Sequence, residues 1–174
     1  MNKFGQAFVE RIRQAFSAEQ EPYEGDVFIE AYYFDDERVY ESSKAFIGKR
    51  WHELPLEIVV RTKDNMYLMT SEAFFHFFPA FLIAVIEETN EADTLIDTLL
   101  FCMNPEQLED TPERKQSLTK AISMFNLEQL QTIVSYFEEF TKIFPTDRYI
   151  FSPDDDVKIK GCIAFLRKIM SQKV

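Results

Sequence analysis

The feature that most constrains this chain is an apolar run at residues 73–86, in which only His76 and Pro79 are not apolar. The run is too short for a membrane span, which needs about twenty residues, and acidic residues flank it. A helix that is apolar on every side must be surrounded by other parts of its domain. The run therefore predicts a central hydrophobic element that amphipathic helices cover.

The composition favours helices over strands. The 174 residues include 18 Phe but only four Gly. Burying a Phe side chain contributes about 1.5–3 kcal/mol, so most of these rings should lie in a core. Few Gly leave few positions for the tight turns of β-hairpins. Since the length fits one domain, we expect residues 1–174 to form a single all-α domain.

Apolar residues at helical spacing, caps and proline signals predict about seven or eight helices. Among them, residues 3–17 form an amphipathic helix, a second helix ends at Gly48, and a short one begins at Pro55. Residues 127–144 should be the longest amphipathic helix. Residues 27–33 are compatible with either a short extended piece or a helical turn.

Pro79 interrupts the central run. Its ring disfavours the helical conformation at Phe78, and a proline suits the first position of a helix. Thr70 supplies a hydroxyl that can cap the preceding helix. We therefore expect a break or a sharp kink at Phe78, and a bundle around a central apolar helix pair joined at Pro79.

The net charge and the cysteine content indicate which binding partners and which cellular compartment to expect for this protein. The formal net charge is −11, and a surface of this sign repels both nucleic acid and anionic membranes. The N-terminus lacks a signal-peptide pattern, so we expect a cytoplasmic protein. Cys102 and Cys162 form no C-x-x-C pair, which predicts two reduced, buried thiols.

An acidic and aromatic segment, residues 19–37, is the best candidate for partner binding. Residues 18–37 hold eight acidic residues and no basic one. Carboxylates and aromatic rings together complement a basic protein partner. The alternative is a solvated loop anchored to the core by its Tyr and Phe side chains. The candidate partner-binding residues are Glu24, Asp26, Glu30, Tyr32, Tyr33, Asp35, Asp36 and Glu37.

A second candidate is a polar site formed by Glu72 and His76, which are one helical turn apart. A metal would require a third ligand, from Glu87, Glu88, Glu91 or Asp93. The simpler interpretation makes His76 a partly buried histidine bonded to a carboxylate or a carbonyl. His52, beside Trp51, is a weaker candidate for a general base. We predict no catalytic residue, no metal and no cofactor.

Several segments resemble an uncharacterised family of small bacterial proteins known only as a domain of unknown function. The shared residues include Gly48-Lys49-Arg50-Trp51 with Leu54, and Leu68-Met69-Thr70-Ser71-Glu72-Ala73-Phe74 running into Pro79-Ala80-Phe81-Leu82. Phe125, Gln129, Val134 and Phe137 extend the likeness to roughly half of the chain. The resemblance implies a fold but supplies no activity.

Three hypotheses for function follow. The first is a non-catalytic cytoplasmic interaction module with an acidic surface, such as an immunity-type inhibitor of a basic protein. The second is a small metal-dependent or small-molecule-binding enzyme that uses Glu72 and His76. The third is a structural subunit of a homo-oligomer, and the sequence leaves the oligomeric state open.

Overall fold

Eight α-helices make up most of the described structure. The computed structural model describes residues 2–17, 21–29, 42–87, 92–108, 111–143 and 153–173. In chain order the helices are α1 (Lys3–Ala15), α2 (Leu56–Arg61), α3 (Ser71–Glu87), α4 (Ala92–Cys102), α5 (Pro112–Met124), α6 (Leu127–Glu138), α7 (Phe140–Ile143) and α8 (Pro153–Ser171). Short 3₁₀ helices span Trp51–Glu53, Lys63–Leu68 and Pro105–Gln107. The predicted all-α class is confirmed.

Helix α3 lies at the centre of the bundle. Its apolar residues are buried on every side, and α1, α2, α4 and α5 pack against it. Helices α6 and α8 pack on each other, and α6 also contacts α1. One cluster of buried apolar side chains runs from Phe8 in α1 to Ile169 in α8. The prediction of a central apolar element covered by other helices is therefore confirmed.

Of the two alternatives at Phe78, the break is wrong, because α3 continues through Pro79 as one helix. An internal proline removes one backbone hydrogen bond and costs roughly 3 kcal/mol. Burial opposes this cost, since Phe77, Phe78 and Phe81 have no exposed surface and each contributes about 1.5–3 kcal/mol. Continuous packing around the helix thus outweighs the local preference for a break. The centre is a single helix rather than a pair.

Most residues that were predicted to begin or end a helix do so in the structure. The Ala73 amide donates to the Thr70 hydroxyl over 3.2 Å at the start of α3. At the start of α6, the backbone amide of Gln129 donates to the side-chain oxygen of Asn126 over 2.9 Å. Gly48 has a φ of 74°, a left-handed conformation that disfavours other residues.

The expected long helix at residues 127–144 is wrong. Helix α6 ends at Glu138, where the next residue leaves helical geometry, and α7 starts afresh at Phe140. The Asn2 side-chain amide donates to the Lys142 and Ile143 carbonyls over 3.2 and 3.3 Å, so the end of α7 is fixed against the start of α1. The longest described helix is α8, with 19 residues.

Both cysteines are free and buried. The Cys162 thiol in α8 donates to the Leu100 carbonyl in α4 over 3.3 Å. Burial raises the pKa of Cys162 to about 12 and raises that of Cys102 further. The two thiols are therefore part of the core rather than reactive groups.

Candidate functional site: an acidic groove

An open groove lies between the segment at residues 21–29, the start of α3 and one face of α5. It has a volume of about 400 Å³. Three carboxylates line it, those of Asp26, Glu72 and Glu113, and the ammonium of Lys120 lies among them. Each of these four side chains comes from an exposed residue. The groove therefore combines a concave surface with three acidic residues.

Backbone pairing holds the segment at residues 21–29 against the rest of the molecule. The Tyr23 amide donates to the Lys49 carbonyl over 3.0 Å, and the Ile29 amide donates to the Leu68 carbonyl over 2.9 Å. Val27 and Phe28 have no exposed surface, so the middle of the segment belongs to the core. This residue range is therefore extended at Phe28, which pairs with Met69.

Thr70 connects this segment to α3. Its hydroxyl donates to the Asp26 carbonyl over 2.7 Å while it also caps α3 through the Ala73 amide. The Tyr23 hydroxyl donates to the same Asp26 carbonyl over 3.0 Å. These bonds fix the backbone from which the Asp26 carboxylate projects at the edge of the groove.

Helix α5 forms the other wall. Glu113, Ser117 and Lys120 lie at helical positions i, i+4 and i+7, so they share one face. The Ser71 hydroxyl donates to the Ser117 carbonyl over 2.9 Å and joins the two helices at the bottom of the groove. The helical repeat of α5 and the Ser71 contact together bring Glu113 into the lining of the groove that also contains Asp26 and Glu72.

The charges in the groove are not balanced. Lys120 forms an ion pair with Glu72 at 2.6 Å, and this ammonium lowers the pKa of the Glu72 carboxyl. Asp26 and Glu113 have no ion pair within the described part of the chain. The described lining therefore carries two uncompensated negative charges.

The predicted partner-binding residues fall into two groups. Glu24 and Asp26 are exposed, and Asp26 lines the groove. Glu30, Tyr32, Tyr33, Asp35, Asp36 and Glu37 lie outside the described residues. The segment is anchored by aromatic rings as the alternative interpretation proposed, since Tyr23 packs on Phe77 with ring centroids 5.4 Å apart.

Glu72 and His76 have different surroundings. Glu72 is exposed and bound to Lys120, whereas His76 is buried and its Nε2 lies 3.2 Å from the Lys49 carbonyl oxygen. The His76 ring also contacts Tyr23, with centroids 5.3 Å apart. In the ranges that the structure describes, no group of three His, Cys, Asp or Glu residues could hold a metal ion.

His52 stands beside a smaller cleft of about 170 Å³. Its ring contacts Trp51 edge-on at 5.4 Å, and Trp51 is buried and donates to the Phe16 carbonyl over 3.3 Å. The cleft is lined mainly by apolar residues such as Ile83. Trp51 thus anchors its connector, and His52 is an exposed residue at its side.

Glu113 was missed as a site residue, because from the sequence it marks only the start of a helix. Its place in the same groove as Asp26 depends on how α5 packs on α3, and no local pattern encodes that packing. The signal that was available is the spacing of Glu113, Ser117 and Lys120, which indicates a polar face of α5.

The fold defines the protein as an all-α domain with an acidic groove on its surface. A model of a family of unknown function (DUF6714) matches residues 6–158, and the chain belongs to this family. Neither the search of curated proteins nor that of solved structures found a match. Among the described helices, none has the length and apolar character needed to cross a membrane.

Proposed function

We propose that the protein is a non-catalytic binding module whose acidic groove receives basic side chains of a protein partner. The observation that carries this proposal is the meeting of Asp26, Glu72 and Glu113 in one groove in which Lys120 is the single basic residue of the described lining. Such a surface complements Arg and Lys of a partner. The formal charge of −11 adds long-range attraction for a basic molecule.

The groove also offers apolar contacts for a long basic side chain. Ile29 is part of its lining and is half-buried, so part of this apolar side chain can be reached from the groove. The aliphatic parts of Lys and Arg pack on apolar surface while their charged ends reach a carboxylate. This combination supports a basic side chain as occupant rather than a free cation.

In its most concrete form, the partner is a basic enzyme such as a nuclease toxin, and this protein is its immunity-type inhibitor. A resemblance to small bacterial proteins supports a bacterial setting. Two free, buried cysteines are typical of a reducing compartment such as the cytoplasm. The enzyme and homo-oligomer hypotheses stay predictions, and no described contact joins Glu72 to His76 in favour of the first.

The proposal is tested by charge reversal in the groove. A pull-down from the native cells at low salt uses the wild type and the Asp26→Lys/Glu113→Lys variant as baits. We expect the wild type to retain a basic protein and the variant to lose it, because two attractive charges become repulsive. Direct binding of the recovered partner should weaken by about tenfold or more for the variant, measured by isothermal titration calorimetry.

The control bait is Glu57→Lys/Glu128→Lys, which changes the net charge by the same amount. Glu113 and Glu128 are each the second residue of a helix and are exposed. Replacing either one by Lys therefore has a similar effect on the stability of the first helical turn. If the control loses the partner as fully as the groove variant, general charge and not the groove governs binding. Recovery of no basic protein by the wild type would contradict the proposal.

A further inference from the structure

One ion pair lies inside the acidic groove. The Lys120 ammonium on α5 lies 2.6 Å from the carboxylate of Glu72 at the start of α3. Both residues belong to the lining of the groove, and both side chains are exposed. The groove therefore already holds one basic side chain, and this side chain comes from the protein itself.

Lys120 pairs with only one of the three carboxylates in the lining. Asp26 and Glu113 have no ion pair in the ranges that the structure describes. On α5, Glu113 and Lys120 are seven residues apart, which separates their backbone positions by about 10 Å along the helix axis. Lys120 thus neutralises Glu72, and the charges of Asp26 and Glu113 stay available to a partner.

The pair between Lys120 and Glu72 can be exchanged without disturbing the fold. Ion pairs between exposed side chains are weak, because water solvates both charges and the pairing restricts two long side chains. The two helices are also joined by the Ser71 hydroxyl, which donates to the Ser117 carbonyl over 2.9 Å and does not involve Lys120. An incoming cation can therefore replace Lys120 on Glu72 while α3 and α5 stay in contact.

We propose that Lys120 is a built-in counter-ion of the acidic groove, which a basic side chain of the partner replaces on Glu72. This inference rests on the proposed function and adds a limit on the strength of binding. In the free protein, Lys120 occupies the place that the partner's cation takes in the complex. It lowers the affinity for a basic partner, because Glu72 only exchanges one cation for another and the displaced ammonium stays nearby as a like charge.

This arrangement favours a partner that brings several basic side chains, in particular arginines. A single cation that replaces Lys120 forms one ion pair at the expense of another, so net attraction must come from Asp26 and Glu113. Arg is better suited than Lys to displace an ammonium, because its guanidinium can form two parallel hydrogen bonds with a carboxylate. We therefore expect an arginine-rich segment in the partner.

The probe that tests this inference is a synthetic hexa-arginine amide. It is titrated into the full chain by isothermal titration calorimetry at about 20 mM salt, where charges are weakly screened. Lys120→Met keeps most of the aliphatic side chain and removes its charge. We expect this variant to bind the probe about two- to tenfold more tightly than the wild type. Lys120→Arg keeps a counter-ion and should bind the probe no more tightly than the wild type.

Lys168 supplies a matched control outside the groove. Its ammonium lies 2.7 Å from Glu106, and these two side chains are 59% and 51% exposed, close to the 62% and 51% of Lys120 and Glu72. This pair also joins two separate elements, α8 and the 3₁₀ helix Pro105–Gln107. Lys168→Met therefore removes the same charge from the same kind of pair. It should tighten binding of the probe by less than about 1.5-fold, because only the net charge acts on the groove.

NMR of the lysine side chains follows the replacement on Glu72 directly. The signals of the Lys120 methylene group next to the ammonium should shift saturably as hexa-arginine is added, since the ammonium loses its carboxylate. The corresponding signals of Lys168 should stay unchanged, because its partner Glu106 is not part of the groove lining.

Equal affinity of the wild type and Lys120→Met for the probe would overturn this inference. An equal gain of affinity in Lys168→Met, or unchanged Lys120 signals in the saturated complex, would overturn it as well. In each of these cases the proposed function still stands if Asp26→Lys/Glu113→Lys weakens binding of the probe. Absence of saturable binding to both the wild type and Lys120→Met would contradict both proposals.

Discussion

At the scale of single residues, His76 is held by packing and by one hydrogen bond. Its Nε2 must carry the proton, since its partner, the Lys49 carbonyl, can only accept. Burial is the main cause that lowers the pKa of His76, and the His52 charge acts in the same direction. The hydrogen bond to the Lys49 carbonyl opposes this shift but is outweighed by burial. His76 is therefore a neutral core residue at neutral pH.

This lowered pKa predicts a pH dependence of stability. The unfolded chain takes up a proton at His76 near its ordinary pKa of 6.5, before the folded protein does. The free energy of unfolding should therefore decrease as the pH falls below about 6.5. His76→Gln should remove this part of the decrease, as measured by urea unfolding between about pH 8 and pH 5.5.

The exposed histidine supplies the control for this measurement. His52→Gln should keep most of the decrease of the wild type, because burial remains the main cause of the lowered pKa of His76. If His52→Gln abolishes the decrease and His76→Gln preserves it, the assignment to His76 is wrong.

At the scale of elements, helix ends follow the sequence more closely than helix interiors do. Asn126 and Gly48 act through their own backbone neighbourhood, so their roles can be inferred locally. Pro79 behaves differently, because its effect competes with the burial of rings contributed by the whole bundle. At Glu139 the opposite happens: the apolar residues keep helical spacing beyond this position, but the backbone leaves helical geometry and α6 ends.

Thr70 gives a prediction at this scale, because one hydroxyl serves both α3 and the segment that carries Asp26. Thr70→Val keeps the shape of the side chain and removes the hydroxyl. We expect a loss of about 1–2 kcal/mol in the free energy of unfolding. We also expect faster hydrogen exchange at the Ile29 amide, which pairs with the Leu68 carbonyl next to this cap.

Thr119 provides a matched control for this change. Its hydroxyl donates to the Lys115 carbonyl within α5, so it joins no two elements. Thr119→Val should leave exchange at Ile29 unchanged. Equal exchange in the wild type and in Thr70→Val would show that the hydroxyl does not hold the segment.

At the scale of the whole molecule, one cluster of buried side chains connects the helices. Phe81 in α3 and Leu166 in α8 both belong to it and have no exposed surface. Contacts run from α3 through α1 to α6, and from α6 to α8. We therefore expect the chain to unfold as one cooperative unit, in agreement with the predicted single domain at residues 1–174.

Differential scanning calorimetry of two core variants tests whether the chain unfolds as one cooperative unit. Phe81→Ala and Leu166→Ala should each lower the free energy of unfolding by about 2–5 kcal/mol. Each should shift the same single thermal transition to lower temperature. A variant that splits the transition in two would show that α8 and the α3 region unfold separately. Phe101→Ala, at a half-exposed site, should cost less than Phe81→Ala.

The two candidate residues Asp26 and Glu72 illustrate what could be predicted about the site. The sequence identified both, but for different reasons and in different hypotheses: Asp26 by an acidic segment, and Glu72 by its spacing from His76. In the structure they line one groove, while His76 is buried and is not part of the groove lining. Spacing along one helix finds neighbours on that helix only, whereas the groove depends on three separate segments.

The sequence by itself determined the helical class, most helix boundaries, the buried cysteines and the central place of residues 71–87. These depend on short-range signals: hydrophobic period, caps and the paucity of glycine. Only the tertiary structure decided that α3 passes through Pro79 and that Glu113 lines the same groove as Asp26. Such outcomes depend on burial and on contacts between residues far apart in the chain, and local patterns do not carry that information.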